Sequence, residues 1–326
     1  MLDAKVWEEI ADDLLQLENE LAMLFTAAAE PIKSAATHLL HAGGKRLRPA
    51  LLFAAAKFGS YRQAELLSAA QALEIVHTAS LIHDDIVDRT DRRRGLPAVH
   101  QIWGDGTALL VGDYLFAKAF SLLAGLQDRA EIIDLLAEVV GAMAEGEVEQ
   151  LAGRFNSELT EQDYLHRIKL KTAVFLSACC RLGARLGRID APAADNLAAY
   201  GENIGMAYQI IDDCLDCTGR QEVLGKPVGS DLRQGIINLP VIRALSLPVA
   251  RAPVLAFLAR IEQGSAVEAA VNDLNNVLAE SGALAYTRGK AAAYAAAAKE
   301  ALRGLPPGPP RELLSFAADA LLQRSV

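Results

Sequence analysis

The chain has 326 residues, 52% of them hydrophobic and 22% charged, and a net charge of −9. This composition excludes a disordered chain, and the acidic balance argues against non-specific nucleic-acid binding, because phosphate backbones would be repelled. Any anionic ligand must therefore be met by a local basic cluster.

The N-terminal stretch MLDAKVWEEIADDLL is acidic and amphipathic, without the basic start or apolar run of a signal peptide. Further on, the apolar stretch 107–126 is broken by Asp113 and Lys118. No stretch reaches the roughly 18 uninterrupted apolar residues of a membrane span. A cytoplasmic protein without a membrane span is expected.

Alanine and leucine dominate, and apolar residues recur at three- and four-residue spacing, so nearly the whole chain reads as helix. Helices are expected over 72–89 and 192–217. In the latter, Leu197, Ile204 and Ile211 recur by sevens beside Tyr208 and Leu215, and Pro192 sits in the first turn. TEQD (160–163) and SAVE (265–268) are capping-box sequences. Loops are expected at GG (43–44), GKPVGSDL (225–232) and LPPGPP (305–310), the last preceding a short C-terminal helix. With no fixed-period repeat and no long linker, one all-α domain over 1–326 is expected, with about a dozen helices around a central bundle. Cys179, Cys180, Cys214 and Cys217 read as reduced thiols; the C-x-x-C at 214–217 has no second pair and no histidine set.

Two segments carry carboxylates in D-D-x-x-D spacing: Asp84, Asp85 and Asp88, then Asp212, Asp213 and Asp216. On helices, His77, Ser80, Asp84 and Asp88 share one stripe, and Gln209 lies one turn before Asp213. A solvated acidic face is the plain alternative. Against it, both motifs sit in strongly apolar surroundings, ASLIHDDIV and AYQIIDDCL, where like charges are costly unless something occupies them. Mg²⁺, which takes one or two carboxylates together with waters and substrate phosphates, suits such clusters.

The basic residues are also grouped. Lys45, Arg46 and Arg48 follow two glycines, RRRG occupies 92–95, Lys171 and Thr172 lie in IKLKTA, and Lys226 stands in a glycine-flanked loop. Each alone reads as a surface charge. With two metal-type motifs they describe a site for two polyanions, one bridged to aspartates through metal and one met by bases alone.

Taken in order, GGKRLRP, HTASLIHDDIVD, RRG, GDYL, KT, YQIIDD and GKPVGSDL resemble the all-trans polyprenyl diphosphate synthase family, most of all its medium- and long-chain members. The resemblance implies an isoprenoid-synthase-type all-α bundle around a deep central cavity, usually homodimeric. It implies 1′-4 condensation of isopentenyl diphosphate with an allylic diphosphate, assisted by several Mg²⁺ ions. By carry-over, Asp84, Asp85, Asp88, Asp212, Asp213 and Asp216 hold metal. Arg93, Lys171, Thr172, Gln209 and Lys226 meet the allylic substrate. Lys45, Arg48, His77 and Arg94 meet isopentenyl diphosphate. Of these, Asp84, Asp85, Asp88, Arg93, Lys171, Asp212, Asp213 and Lys226 form the implied catalytic set. His83 is left without a role, and Asp91, Arg89 and Arg92 read as solvated charges.

One departure concerns DLRQGIINLP, where Ile236 replaces a second lysine common in the family and removes one allylic contact. The position five before the first aspartate, which often sets chain length in this family, is Ala79, followed by Ser80. Both are small, and Val76, Leu73 and Ala72 lie further along the same path. A product of six or more isoprene units is expected, destined for a quinone side chain. The alternatives are a short-chain farnesyl or geranylgeranyl diphosphate synthase and a subunit of a heteromeric synthase. A terpene cyclase would not need the second D-D-x-x-D, and a non-catalytic subunit would be expected to lose some of the six aspartates.

Overall fold

A computed structural model describes residues 4–41, 43–218, 229–265 and 267–323. The chain is all-α. Helices α1 (Ala4–Met23), α2 (Ile32–His41), α3 (Leu47–Ala56) and α4 (Gln63–Val87) are followed by a two-stranded hairpin, β1 (Arg92–Arg93) and β2 (Leu96–Pro97). Then come α5 (Val99–Trp103), α6 (Asp105–Leu123), α7 (Arg129–Ala152), α8 (Glu161–Ile168), a π-helical turn (Lys169–Ala173), α9 (Val174–Leu186) and α10 (Ala191–Thr218). The remainder comprises α11 (Ser230–Arg233), α12 (Leu239–Leu245), α13 (Pro248–Glu262), α14 (Val267–Glu280), α15 (Ala283–Ala301) and α16 (Pro309–Gln323).

The helices gather into two compact units. One comprises Met1–Val140, Leu176–Ala198 and Leu302–Phe316; the other comprises Gly141–Phe175, Ala199–Ala301 and Ala317–Val326.

In the first unit α4 lies along α6, and α3 packs against α4. Close approach depends on small residues. A Cβ on Gly183 of α9 would sit 2.3 Å from the Leu52 carbonyl oxygen of α3, and one on Gly112 of α6 would sit 2.1 Å from His83 Nε2 of α4. Glycine is therefore required where these helices meet. α6 is long and apolar enough in composition to cross a membrane. Its buried face, with Ala108, Val111, Leu115 and Ala119, nevertheless packs within the unit. In the second unit the core joins Tyr164, Ile168, Met206, Ile210, Leu239, Val254, Leu274 and Leu278.

The expected punctuation is largely present. Thr160 Oγ1 accepts from the Asp163 N–H and the Asp163 carboxylate accepts from the Thr160 N–H, completing the capping box. Pro192 occupies the first turn of α10. The four cysteines are free and buried.

The structure differs from the sequence reading at two of the expected loops. Pro309 and Pro310 open α16 instead of ending a loop, since proline suits a first helical turn. Ser230–Arg233 forms a short helix within the expected loop. The helix after SAVE begins at Val267, but Ala266 lies outside the described residues, as does 219–228, which contains Lys226.

Candidate active site

In the first unit, α4 ends in the first acidic motif. Asp84 and Asp88 are half-buried, whereas Asp85 is 1% exposed. Asp88 caps the helix, its N–H donating to the Asp84 carbonyl at 2.8 Å. The chain then reverses through Arg94 (φ 52°) and Gly95 (φ 81°), and two successive positive φ values are the signature of a tight I′ hairpin turn. This turn brings Arg93 onto Asp85. Arg93 Nε donates to Asp85 Oδ1 at 2.9 Å, and Nη2 donates to the same oxygen. Asp85 Oδ2 is buried and has no hydrogen-bond partner among the described residues. Burial raises the Asp85 carboxyl pKa, while Arg93 and His100 pull it down.

The hairpin tip meets the glycine pair. Arg94 Nη1 donates to the Gly43 carbonyl, and a Cβ on Gly44 would lie 3.2 Å from the Arg94 guanidinium. GGKRLRP and RRRG therefore form one basic neighbourhood. His77 belongs to it: burial first, then the charges of Arg48, Arg94, Arg93 and Arg46, hold its imidazole well below the usual histidine range. Lys45 is exposed and Arg48 half-buried, but Arg46 is buried and ion-paired to Glu18 and Glu74. Ser80 Oγ donates to the His77 carbonyl at 2.9 Å. Ala79, Val76, Leu73 and Ala72 are all buried.

The second unit holds the second motif. Asp212 is half-buried. Asp213 is 5% exposed, with both oxygens bonded: Tyr164 OH donates to Oδ2 at 2.7 Å and Gln209 Nε2 to Oδ1 at 2.9 Å. Thr172 Oγ1 donates in turn to Gln209 Oε1 at 2.8 Å. Burial, then the Asp231 charge, pushes the Asp213 carboxyl up to about 7, against the lowering effect of the Tyr164 and Gln209 bonds. Asp216 is 1% exposed and accepts from Ser230 Oγ at 2.8 Å and from the Asp231 N–H at 3.1 Å. It thus anchors Ser230 and Asp231 at the start of α11.

Lys171 and Thr172 sit in the π-helical turn, a feature frequent at functional sites. Lys171 Nζ is ion-paired with Glu147 Oε2 of α7. Gly146 makes room for this, since a Cβ there would meet Lys171 Cγ at 2.7 Å. Ile236 is 8% exposed and its N–H donates to the Asp231 carbonyl at 2.9 Å, so it serves as a packed residue.

A family model for polyprenyl synthetase matches residues 29–274. The chain belongs to the polyprenyl synthetase family. Its members are prenyltransferases, and this chain is one. It is 42% identical over 238 residues to heptaprenyl diphosphate synthase component 2 of Geobacillus stearothermophilus, spanning 73% of this chain and 74% of that one. It is 38% identical over 299 residues to a geranylgeranyl diphosphate synthase of Methanosarcina mazei, spanning 90% of each. Among solved structures, a polyprenyl synthase of Caulobacter crescentus, crystallised with calcium and isoprenyl diphosphate, superposes with a TM-score of 0.91 at 36% identity, over 99% of this chain and 98% of that one. The fold is therefore the all-α isoprenoid synthase fold.

The residues suit the divalent metal that accompanies this family. Among the described residues no three acidic, histidine or cysteine side chains converge as a ready-made cage. Mg²⁺ needs none, because waters and substrate phosphates complete its shell. The partnerless buried oxygen of Asp85 is the kind of acceptor a cation satisfies.

Several working residues of this synthase escaped the sequence reading. Tyr164 bonds Asp213, Glu147 pairs with Lys171, and Glu18 and Glu74 hold Arg46; none of the four lies within a motif. His83, left without a role, contacts the Leu109 carbonyl at 3.0 Å and fills the space above Gly112. The glycine of GDYL is thereby explained as a seat for the histidine of the first acidic motif.

Proposed function

We propose that this prenyltransferase adds isopentenyl diphosphate units 1′-4 to an allylic diphosphate with release of diphosphate, and makes a chain of six or more isoprene units for a quinone side chain. The observation that carries the site assignment is Asp85: buried, gripped by Arg93 on one oxygen and left open on the other. Asp84, Asp85, Asp88, Asp212, Asp213 and Asp216 are assigned to Mg²⁺, with Asp213 and Asp216 oriented by the bonds described above. When bound, the metal supplies Lewis-acid stabilisation to the departing diphosphate.

The chain's own residues do the remainder. Arg93 and Lys171 supply positive charge to that diphosphate, and Lys226, outside the described residues, is assigned the same role. Thr172 and Gln209 orient the allylic substrate. Lys45, Arg48 and Arg94 hold isopentenyl diphosphate beside a neutral His77. The allylic C–O bond breaks with its electron pair leaving on diphosphate, the double bond of isopentenyl diphosphate attacks the resulting carbon centre, and the released diphosphate takes up the proton that is then lost. Water must be excluded for that centre to escape quenching.

The small residues Ala79 and Ser80 support the longer product. The geranylgeranyl diphosphate synthase relative favours a short-chain reading, and the relative named as a component 2 favours a chain that works with a second kind of subunit. We assign the protein to the cytoplasm as a single domain over 1–326 and as a homodimer. Leu109 and Leu110 on α6, 50% and 67% exposed, support burial against a second copy.

The test is incorporation of labelled isopentenyl diphosphate by wild type, Asp84→Asn and Asp212→Asn, with and without a chelator. Wild-type incorporation should stop on chelation and return with Mg²⁺, and each variant should lose about a hundredfold or more. Undiminished turnover in either variant would remove that aspartate from the site.

A further inference from the structure

Arg46 stands between Lys45 and Arg48 in the chain, yet it is 7% exposed where Lys45 is exposed. Its backbone is left-handed, with φ 46° and ψ 35°, a conformation that a non-glycine residue keeps only when its surroundings hold it. Residues 43–46 belong to no helix or strand, and α3 begins there without a side-chain cap. The guanidinium makes the connections instead. Nε and Nη2 fork onto Glu18 at 2.5 and 2.9 Å, Nη1 donates to Glu74 at 2.6 Å, and Nη2 also donates to the Leu40 carbonyl at 3.2 Å. Glu18 comes from α1 and Glu74 from α4, one turn before His77. A second bond, from Gln71 to Glu20, ties the same two helices.

We propose that Arg46 is a positioning residue whose clamp on Glu18 and Glu74 sets where Lys45 and Arg48 present their charges, so that affinity for isopentenyl diphosphate is governed from α1. This rests on the assignment of Lys45 and Arg48 to that substrate. The planar guanidinium makes four bonds at once, two of them forked onto Glu18, a geometry that the three donors of a lysine ammonium cannot reproduce.

The rival account is that Arg46 contributes only positive charge to an anion site. The two accounts differ in sign for the carboxylates. If charge alone matters, Arg46→Gln raises the KM for isopentenyl diphosphate, but Glu18→Gln and Glu74→Gln remove negative charge and lower it. If the clamp matters, all three raise it. We expect increases of about tenfold, with kcat and the allylic KM within about twofold of wild type. Arg46→Lys, which keeps the charge, should stay impaired.

Thermal unfolding checks that each variant folds, and Glu18→Gln carries the test if the buried Glu74→Gln does not fold, since Glu18 is 45% exposed. A lowered or unchanged KM in Glu18→Gln, or full rescue by Arg46→Lys, overturns the proposal. Lys45→Ala separates the two layers: an unchanged KM there overturns the substrate assignment, whereas a raised KM beside a normal Glu18→Gln overturns only the clamp.

Discussion

Replacing Gly205 with alanine should damage both stability and allylic binding. Gly205 lies on α10 against the π-helical turn: a Cβ there would sit 2.4 Å from Ala173 Cα, 3.0 Å from its Cβ and 3.2 Å from its nitrogen. The Cα and nitrogen are backbone, so no side-chain rotation relieves the clash. To reach ordinary contact the turn and α10 must part by about 1 Å. Overpacking of this kind costs about 1–3 kcal/mol of stability. The same displacement stretches the 2.8 Å bond from Thr172 to Gln209, and Gln209 is one of the two side chains that hold Asp213. Losing one such bond corresponds to a rise of about threefold to tenfold in KM for the allylic diphosphate. Urea unfolding and steady-state kinetics at saturating isopentenyl diphosphate read the two effects separately. Wild-type stability together with an unchanged allylic KM would refute the claim that this contact sets the turn.

Other outcomes follow from single side chains. Ala79→Phe should shorten the product, read by chromatography of the dephosphorylated chains, and should cost about 1–3 kcal/mol because Ala79 is fully buried; unchanged length removes Ala79 from the length argument. Tyr164→Phe takes a donor from the buried Asp213 carboxylate and should cost about 1–3 kcal/mol in denaturant unfolding, with a loss near zero refuting the bond's importance. His77 has a depressed pKa, so on acidification the unfolded chain takes up the proton before the folded one. Its contribution is complete above about pH 6.5 and is lost as pH falls below that value. Denaturation midpoints between pH 7.5 and 5.5 should therefore fall further in wild type than in His77→Gln, and equal falls would contradict the assignment.

How far the sequence speaks depends on the range of the interaction. Thr160 with Asp163, Pro192, and the aspartates three and four residues apart are local patterns, and the structure places them on the expected helices or, for Asp88, at the C-cap of one. The hairpin at Arg92–Pro97 was missed because RRRGLP lacks alternating apolar residues, and its turn depends on Arg94 adopting a positive φ. Lys45, Arg46 and Arg48 look alike as letters. Ion pairs with Glu18 and Glu74, each 28 residues from Arg46, set the buried arginine apart from its neighbours. The equivalence of the two D-D-x-x-D motifs is likewise limited. Asp88 caps α4, whereas Asp216 turns to Ser230 and Asp231, contacts that sequence spacing does not encode.

The central claim is that this chain alone elongates an allylic diphosphate to a medium or long product. The most direct measurement is product length after incubating the purified protein with isopentenyl diphosphate, farnesyl diphosphate and Mg²⁺. The account predicts chains of six or more isoprene units. Chains that stop at the four-unit stage would contradict the long-product assignment, and no incorporation at all would contradict a self-sufficient synthase.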